Sequence, residues 1–425
     1  MLLPPLSNKE QLSELKPLPT FCQYRLTVHY PEQKIVPEDA WNPAHFLNIT
    51  VNPNYQSESP QGHDLGAKLY LRTSGSMGAS KIVVHSHTRL FQNTHNCVER
   101  FQLKHTDRVT IAVPIFHMYG LGAGFLPSII AGASIDLQEN TNLLKYLEHE
   151  RRFDPNAAFL TPALCDMLLQ RRGGERRYQV AVSAGARLKA ELVYAFDERF
   201  GSLVNLYGST ELGAISAASP DDTVVTRATT IGRPMTGVTM LPAAQLPSTT
   251  NASEPPESVF QTPEPVMDEL YCHHPWGFEA YIDDHGATIS QAETWFKTGD
   301  LATFNPDGSL RILGRADNSV NRDGYLVLLS DIERVIENIE AVAQVVALAT
   351  RTENQRGQYL IACCVLKPEM HLDGAAIRTA CFDRLPRYAI PDEVLVMDAL
   401  PTLPSGKVDR QALVAQATLT GVSPP

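Results

Sequence analysis

The chain has 425 residues, of which 43% are hydrophobic and 20% charged, a composition that excludes disorder as its main state. Its 36 Lys and Arg against 47 Asp and Glu give a net charge of −11, so the broad cationic surface that binds phosphate backbones is missing and we expect no nucleic-acid partner. The length predicts more than one domain, each with its own core.

Three features bear on compartment and redox state. The first residues, MLLPPLSNKE, lack the basic start and continuous apolar core of a secretory signal, so we expect a cytoplasmic protein. Seven scattered cysteines without a CxxC pair favour buried free thiols over a disulfide framework or a zinc site. The uncharged segment 109–135 contains His117, two prolines and four glycines, so it predicts a buried strand, loop and helix, and we expect no membrane partner.

A loop rich in glycine and serine lies between the apolar runs AKLYL and IVV. Its backbone N–H groups can approach an anion closely, and its hydroxyls and single amine add donors and charge, so it predicts a triphosphate site. It is not a Walker A loop, because Ser80 precedes Lys81 where that motif requires glycine. A purely structural turn is the alternative. The candidate ligands are Thr73, Ser74, Gly75, Ser76, Gly78 and Lys81.

Between Arg108 and Tyr207, strand-like apolar runs alternate with helical spacing, which predicts an α/β fold with a mostly parallel, helix-covered sheet. The strand SLVNLY ends in Tyr207-Gly208-Ser209-Thr210-Glu211, at the edge where such sheets bind ligands. There Thr210 can donate to a phosphate, Glu211 can bind Mg²⁺ and Tyr207 can stack on a base. A simple helix cap is the alternative interpretation of this pentapeptide.

The remaining chain predicts a surface loop and a second unit. Segment 242–265 is rich in Pro, Ser and Thr, which is typical of a surface loop. We expect Thr298-Gly299-Asp300 just before a strand; Asp300 can accept both hydroxyls of a ribose and Arg315 can supply donors, with a surface ion pair as the alternative. From Asn318 onward, strands and helices alternate as in a small α+β domain. Lys407 follows Ser-Gly, as either a mobile cation or a solvated lysine.

Four of these elements, in their order along the chain, resemble those of the adenylate-forming enzymes: acyl- and aryl-CoA synthetases, adenylation domains of peptide synthetases, and luciferases. They are the loop 73–81, the pentapeptide 207–211, the pair Asp300 and Arg315, and the segment with Lys407. Segment 114–121 is similar to the family's PxFHxxGL motif, 183–186 to its SGGA strand, 231–234 to its VGRP turn and GRADNSVNRDGYLVLLSDIE to its hinge. The resemblance covers residues 71–413. It implies a large N-terminal domain of parallel-sheet α/β layers (1–315), a hinge (316–318) and a small mobile α+β C-terminal domain (319–425).

The resemblance also implies an activity. Such enzymes join a carboxylate to AMP, releasing pyrophosphate, and a thiol of CoA or of carrier-protein phosphopantetheine then displaces AMP. The implied cofactors are ATP and Mg²⁺, with an acyl carrier protein as a candidate partner. By resemblance, the 73–81 loop holds the β and γ phosphates, Tyr207 and Gly208 lie at the nucleotide, Thr210 contacts the α-phosphate, Glu211 binds Mg²⁺, Asp300 and Arg315 hold the ribose, and Lys407 bridges the carboxylate and the α-phosphate.

A pocket for the acid and a path for the thiol follow from the same resemblance. The ring of His117 would gate the pocket between carboxylate and thiol, and Asp317 matches the hinge, with Gly324 and Tyr325 on the thiol approach. His117 and Met118 stand where relatives that select amino acids place an Asp, so we expect an aryl or acyl acid. The pocket residues are His117, Met118, Tyr119, Ser183, Ala184, Gly185 and Leu212.

The sequence departs from the family pattern in three places. Only 72 residues precede the phosphate loop, so we expect a shortened first subdomain. The loop carries Ser-Met and Ala-Ser, and Ile82 replaces the usual Gly after Lys81, which predicts weaker ATP binding. Asn321 stands where a Lys is frequent, so CoA phosphates would lose a charge partner and carrier-protein phosphopantetheine is a credible acceptor beside CoA. A degenerate ligase, kept as a non-catalytic carrier-protein-binding or assembly subunit, is the alternative hypothesis; the oligomeric state is not predicted.

Overall fold

A computed structural model describes residues 2–3, 22–28, 47–54, 66–72, 81–138, 142–170, 177–247, 266–322, 325–354, 357–402 and 408–419. The first elements form two small groups. One is a three-stranded sheet in the order β1-β2-β3, and the other is the antiparallel pair β4 and β5, followed by a helix. The bounds are β1 Leu2–Leu3, β2 Tyr24–Val28, β3 Leu47–Val51, β4 Lys68–Arg72, β5 Ile82–Ser86 and α1 His87–Phe101.

A seven-stranded sheet with helices between its strands follows, which confirms the predicted α/β layers. Segment 109–135 contains a strand, a π-helical segment (Tyr119–Phe125) and a short helix, and it begins the next strand. The elements are β6 Arg108–Ile111, α2 Leu126–Ala131, β7 Ser134–Leu137, α3 Leu143–Phe153, β8 Ala157–Leu160, α4 Pro162–Gln170, β9 Tyr178–Ser183, α5 Ala190–Phe200, β10 Gly201–Ser209, β11 Gly213–Ala217, α6 Val224–Thr229 and β12 Arg233–Pro234.

The strand order of this sheet is β12-β11-β10-β9-β8-β6-β7. Strands β7, β6, β8, β9 and β10 pair in parallel, whereas β11 and β12 add to the β10 edge in antiparallel direction. The parallel strands β8 and β9 consist almost entirely of buried residues, as expected for a sheet covered on both faces. Their carboxyl ends therefore meet at one edge, which carries the predicted pocket and nucleotide segments.

Two antiparallel sheets extend this large unit, in the orders β13-β14-β17-β18 and β16-β15-β5-β4. The predicted surface loop falls mostly on residues 248–265, outside the described residues. Thr298–Asp300 lies within β17, so the expectation that it precedes a strand is wrong; Gly299 has φ +74°, which lets the strand accommodate the motif. The strands are β13 Thr239–Pro242, β14 Val266–His273, β15 Ala280–Ile282, β16 Thr288–Gln291, β17 Phe296–Phe304 and β18 Leu310–Arg315.

The C-terminal part is a small α+β unit, as predicted. Its sheet has the order β20-β19-β22-β21, with β23 parallel to β22. A short 3-10 turn, Ala316–Asn318, connects it to β18. The elements are β19 Ser319–Arg322, β20 Tyr325–Leu328, α7 Leu329–Glu337, β21 Val342–Asn354, β22 Gly357–Leu366, α8 Gly374–Cys381, β23 Glu393–Val396 and α9 Arg410–Leu419.

The buried side chains group according to these two parts. Two clusters of buried apolar residues lie wholly within residues 320–413, while the largest cluster, which includes Val109, Val182 and Leu212, belongs to the N-terminal part. All seven cysteines are buried and unbridged, and burial raises the pKa of the Cys97 thiol to about 12. In the described part of the chain, no helix is both long and apolar enough to cross a bilayer.

Candidate active site

Strand β10 ends at the carboxyl edge of the parallel sheet, and the chain turns back there into β11. Residues up to Asn205 pair with β9, and residues from Leu206 pair with β11. Tyr207 and Gly208 lie on this last part of β10. A Cβ on Gly208 would lie 2.3 Å from the carbonyl oxygen of Gly213, so this close pairing requires glycine. The turn that follows, with Thr210, Glu211 and Leu212, is therefore held at the sheet edge.

A tyrosine that the sequence did not single out connects the predicted phosphate and metal residues. The hydroxyl of Tyr281 donates a 2.9 Å hydrogen bond to Glu211 Oε1, and Lys81 Nζ lies 5.0 Å from the centroid of its ring. Strand β15 pairs with β5 so that Tyr281 is opposite Val83, two positions after Lys81. Burial and the Glu211 carboxylate raise the pKa of Tyr281, which keeps the hydroxyl protonated.

The predicted ribose residues form a second cluster. Asp300 on β17 lies opposite Arg315 on β18, and Arg315 Nη1 is 3.6 Å from Asp300 Oδ1. Arg315 also donates to the carbonyl oxygen of Thr298 at 3.0 Å. The Tyr207 hydroxyl donates to Asp300 Oδ2, and burial, followed by the Asp300 charge, raises the pKa of Tyr207. Tyr207 thus connects β10 to the Asp300 carboxylate. It does so through its hydroxyl group, in addition to the ring face that was predicted to stack on a base.

Buried side chains that the sequence analysis missed hold the turn between β10 and β11. His85 Nε2 donates to the Thr210 carbonyl oxygen at 2.8 Å. Asn93 donates to the Leu212 carbonyl oxygen at 2.8 Å, and its Oδ1 accepts from the Ala214 N–H at 3.1 Å. The sequence does carry a signal for such supporting residues, namely a polar side chain among apolar ones. His85 lies in the apolar strand IVVHS, and Asn93 lies on the buried face of α1.

His274 completes this support. Its Nδ1 accepts from the Trp276 N–H at 3.2 Å, so Nε2 carries the proton and donates to the Ala214 carbonyl oxygen at 2.9 Å. Burial lowers the pKa of His274 to about 4 and does the same for His85. Both rings are therefore neutral at pH 7, and each serves as a directional donor to the site turn.

The predicted pocket residues share the same sheet edge. The Tyr119 hydroxyl lies 3.0 Å and 2.7 Å from the carbonyl oxygens of Leu160 and Val182, at the ends of β8 and β9. Ser183 is buried and pairs with Asn205 of β10, two residues before Tyr207. Of the other pocket residues, Met118, Ala184 and Leu212 are buried in the large apolar cluster, and His117 is exposed and packs on Phe116. Among the described residues, none beyond the chain neighbours of Gly185 lies within 4 Å of the position its Cβ would take.

The predicted hinge and thiol-approach residues lie in the C-terminal unit or at its start. Asp317 is in the 3-10 turn directly after Arg315. Tyr325 is 57% exposed and stacks on Tyr388, with ring centroids 4.4 Å apart. Its described ring contact is thus within the C-terminal unit and does not bring it to the nucleotide residues.

Several predicted residues lie outside the described residues, namely Thr73, Ser74, Gly75, Ser76, Gly78, Gly324 and Lys407. The two ends of the phosphate loop are nevertheless defined, because Arg72 of β4 pairs with Ile82 of β5. The described residues that flank the loop, Arg72 and Lys81, are therefore close together, and Lys81 lies beside the Tyr281 ring. The assigned roles of these residues stay predictions.

The residues present fit a magnesium ion that arrives with phosphates. Within the described ranges, no group of three or more His, Cys, Asp or Glu side chains could hold a metal by itself. Mg²⁺ commonly uses one or two protein carboxylates and completes its shell with phosphate oxygens and water. Glu211 suits this arrangement. Tyr281 donates a hydrogen bond to its Oε1 atom, and this bond does not involve the other carboxylate oxygen, Oε2.

Comparisons with known proteins match this organisation. The family described as "AMP-binding enzyme" matches residues 10–241, and "AMP-binding enzyme C-terminal domain" matches residues 331–407. A dimodular nonribosomal peptide synthase of Bacillus subtilis (strain 168) is 27% identical over 97% of this chain and 17% of its own length. A salicylyl-CoA synthase / salicylate adenylyltransferase of a Streptomyces species is 24% identical over 86% of this chain and 65% of its own length.

Solved structures agree on the fold. The O-succinylbenzoate coenzyme A synthetase MenE from Bacillus subtilis, in complex with ATP and magnesium ion, superposes with a TM-score of 0.68 at 23% identity and covers 81% of this chain and 69% of that one. The chain spans about two thirds of the length of such relatives and a sixth of the peptide synthase. The "AMP-binding enzyme" family match alone extends over more than half of this chain. The chain therefore belongs to the AMP-binding enzymes of the adenylate-forming superfamily.

Proposed function

We propose that this chain activates an aryl or acyl carboxylic acid by joining it to AMP, with release of pyrophosphate, and then transfers the acyl group to a thiol. The observation that carries the proposal is the convergence of distant segments on the end of β10. Lys81, Tyr281 and Glu211 form one cluster, and Tyr207, Asp300 and Arg315 form the other. Both clusters include residues of the same short stretch, 207–211.

The arrangement suits a reaction whose main obstacle is charge. A carboxylate oxygen must attack the α-phosphorus of ATP, and the bond from that phosphorus to the bridging oxygen of pyrophosphate must break. In the proposal, Lys81 would neutralise phosphate oxygens, Glu211 would hold a Mg²⁺ ion that supplies charge to stabilise the leaving pyrophosphate, and Asp300 with Arg315 would orient the ribose. Lys407, from the C-terminal unit, would bind the attacking carboxylate and the α-phosphate together.

In the second step, the thiol sulfur bonds to the acyl carbon, the bond between that carbon and the AMP oxygen breaks, and the thiol proton leaves to solvent. A CoA thiol and a carrier-protein phosphopantetheine are both candidate acceptors. The name of the Streptomyces relative refers to a CoA product, whereas the peptide synthase relative favours a carrier protein. The pocket residues near Ser183 and Gly185 carry no acidic group, which supports an acid without an ammonium substituent.

Acid-dependent exchange of labelled pyrophosphate into ATP tests the proposal. We expect at least one aryl or acyl acid from a panel to support exchange. Lys407→Ala should lower exchange by at least about 10²-fold, because a positioned donor in the transition state is worth about that much. Lys367→Ala, at an exposed lysine of the same unit, is the matched control and should leave exchange unchanged.

Two results would contradict the proposal. One is a parent protein that shows no exchange with any acid although it binds Mg-ATP, which would favour the non-catalytic alternative. The other is equal exchange in Lys407→Ala and Lys367→Ala, which would refute the role given to Lys407. The melting temperature of each variant, expected to match the parent within a few degrees, separates loss of function from loss of fold.

A further inference from the structure

The ring of Tyr281 lies between two groups of opposite charge. Glu211 Oε1 accepts its hydroxyl hydrogen at 2.9 Å, and Lys81 Nζ is 5.0 Å from its ring centroid. The hydroxyl thus donates a hydrogen bond to a carboxylate, and the ring face makes a cation–π contact with an ammonium.

The backbone fixes Tyr281 at this place. Its strand, β15, pairs with β5 directly after Lys81, with Ile282 opposite Ile82 and Tyr281 opposite Val83. Phe278 packs on the Tyr281 ring, with centroids 4.7 Å apart, and the Phe278 N–H donates to the Glu211 carbonyl oxygen at 2.8 Å. The tyrosine and the turn that carries Glu211 are therefore connected both through side chains and through backbone.

We propose that Tyr281 is a positioning residue for the proposed adenylation reaction: its hydroxyl orients the Glu211 carboxylate toward Mg²⁺, and its ring face positions the Lys81 ammonium. The inference rests on the proposed function. One tyrosine thus contacts both the residue proposed to bind Mg²⁺, Glu211, and the residue proposed to bind phosphate, Lys81.

Two substitutions separate the two parts of this role. Tyr281→Phe removes only the hydroxyl, and it should raise the Mg²⁺ concentration for half-maximal exchange about 10-fold, as loss of a hydrogen bond to a metal ligand commonly does. Its KM for ATP at saturating Mg²⁺ should stay within about twofold of the parent, because the ring remains under Lys81. Tyr281→Leu removes the ring and its cation–π contact as well, so its KM for ATP should rise about 10-fold even at saturating Mg²⁺.

The matched control is Tyr194→Phe, at an exposed tyrosine on α5, which should change neither quantity. A structural role of Tyr281 would lower the melting temperature without shifting the Mg²⁺ dependence, so both are measured. A Mg²⁺ curve of Tyr281→Phe that overlays the parent's overturns the orientation of Glu211 by the hydroxyl. Equal KM values for ATP in the Phe and Leu variants overturn the positioning of Lys81 by the ring.

The proposed function and this inference fail in different ways. If the parent catalyses no exchange, the proposed function is refuted, and the Mg²⁺ dependence of the ATP-induced rise in melting temperature becomes the readout for Tyr281. A 10-fold shift of that dependence in Tyr281→Phe supports the inference. An unshifted dependence, or a parent that Mg-ATP does not stabilise at all, overturns it.

Discussion

Two neutral histidines determine the shape of the site turn. His85 and His274 donate to the carbonyl oxygens of Thr210 and Ala214, on either side of Glu211 and Leu212. Protonation of His274 would place a hydrogen on Nδ1, where the Trp276 N–H now donates, so the charged ring loses a hydrogen bond as well as solvent. For His85, burial is the main cause of the lowered pKa, and the nearby Arg89 charge adds to it while Glu279 opposes it.

These lowered pKa values predict how stability depends on pH. Each histidine has a pKa of about 4 in the folded chain against 6.5 in the unfolded chain. Between these values the unfolded state binds more protons, so the free energy of unfolding rises with pH. Each neutral histidine makes its full contribution to the free energy of unfolding above pH 6.5. That contribution is lost as the pH falls toward 4, and the loss is roughly 3 kcal/mol per histidine at ~1.36 kcal/mol per pH unit.

Urea unfolding at pH 7, 6, 5 and 4 measures this effect. Carboxylates also titrate in this range, so the comparison is between variants. His274→Gln should lose less stability than the parent between pH 6.5 and 4, whereas His285→Gln, at an exposed histidine, should follow the parent. Parallel curves for all three proteins would show that His274 is not the buried neutral group described above.

Among single residues, the sequence predicts those whose type and motif suit a ligand. It does not predict residues that reach the site only through the way the chain folds. Glu211, Asp300 and Arg315 stand in motifs whose residue types suit Mg²⁺ and ribose, and the structure brings them to the two clusters. Tyr281 has no such motif, because its relation to Lys81 arises only when β15 pairs with β5 across almost 200 positions of sequence. Long-range pairing of this kind leaves no local signal.

The β10–β11 junction is the element that joins the two clusters. Strand β10 changes from parallel pairing with β9 to antiparallel pairing with β11, with a register shift between Tyr207 and Gly208. Such an irregularity next to a site redirects side chains, and here Tyr207 faces Asp300 while Glu211 faces Tyr281. The geometry of this junction therefore decides whether the nucleotide residues converge.

Gly208→Ala tests this element. The added Cβ would lie 2.3 Å from the Gly213 carbonyl oxygen, a backbone atom, so β10 and β11 must separate. We expect a loss of stability of about 1–3 kcal/mol, as for other overpacked sites, together with a loss of exchange activity. Chemical unfolding and pyrophosphate exchange measure the two effects.

Gly237→Ala, outside the candidate site, is the control for that substitution. Gly237 has φ +79°, and an added Cβ would lie at an ordinary contact distance of 3.5 Å from Trp276 Nε1, so alanine there costs only the left-handed conformation, about 1–2 kcal/mol, and should leave exchange unchanged. A Gly208→Ala protein as stable and active as the parent would show that the strands are not in the close contact described.

The order of elements was predictable because hydrophobic period differs between strands and helices. The alternation from Arg108 to Tyr207 and the α+β pattern after Asn318 are both confirmed. The π-helical segment Tyr119–Phe125 was not predicted as such, because its glycines carry no helical pattern and its geometry depends on Tyr119 reaching the ends of β8 and β9. The position of Thr298–Asp300 inside β17 likewise depends on Gly299 and not on periodicity.

At the scale of the whole molecule, the two parts of the chain have separate cores, and two polar contacts between described residues connect them. Lys189 of α5 and Glu337 of α7 form a 2.7 Å ion pair between exposed side chains, and the Ser330 hydroxyl donates to the Leu313 carbonyl oxygen at 3.0 Å. Exposed pairs of this kind contribute about 0–1 kcal/mol, so they do not lock the parts together. We propose that the turn at 316–318 is the hinge, and that Lys407 reaches the nucleotide through movement at this turn.

We propose that the clusters around Glu211 and Asp300 form one binding site for Mg-ATP, and the melting temperature of the protein with and without Mg-ATP tests this proposal. We predict stabilisation of the parent by about 2.7 kcal/mol at a ligand concentration near 100 Kd. Glu211→Gln and Asp300→Asn should each need at least about 10-fold more ligand for the same shift. A parent that Mg-ATP does not stabilise, or variants that bind it as tightly as the parent, would contradict the claim.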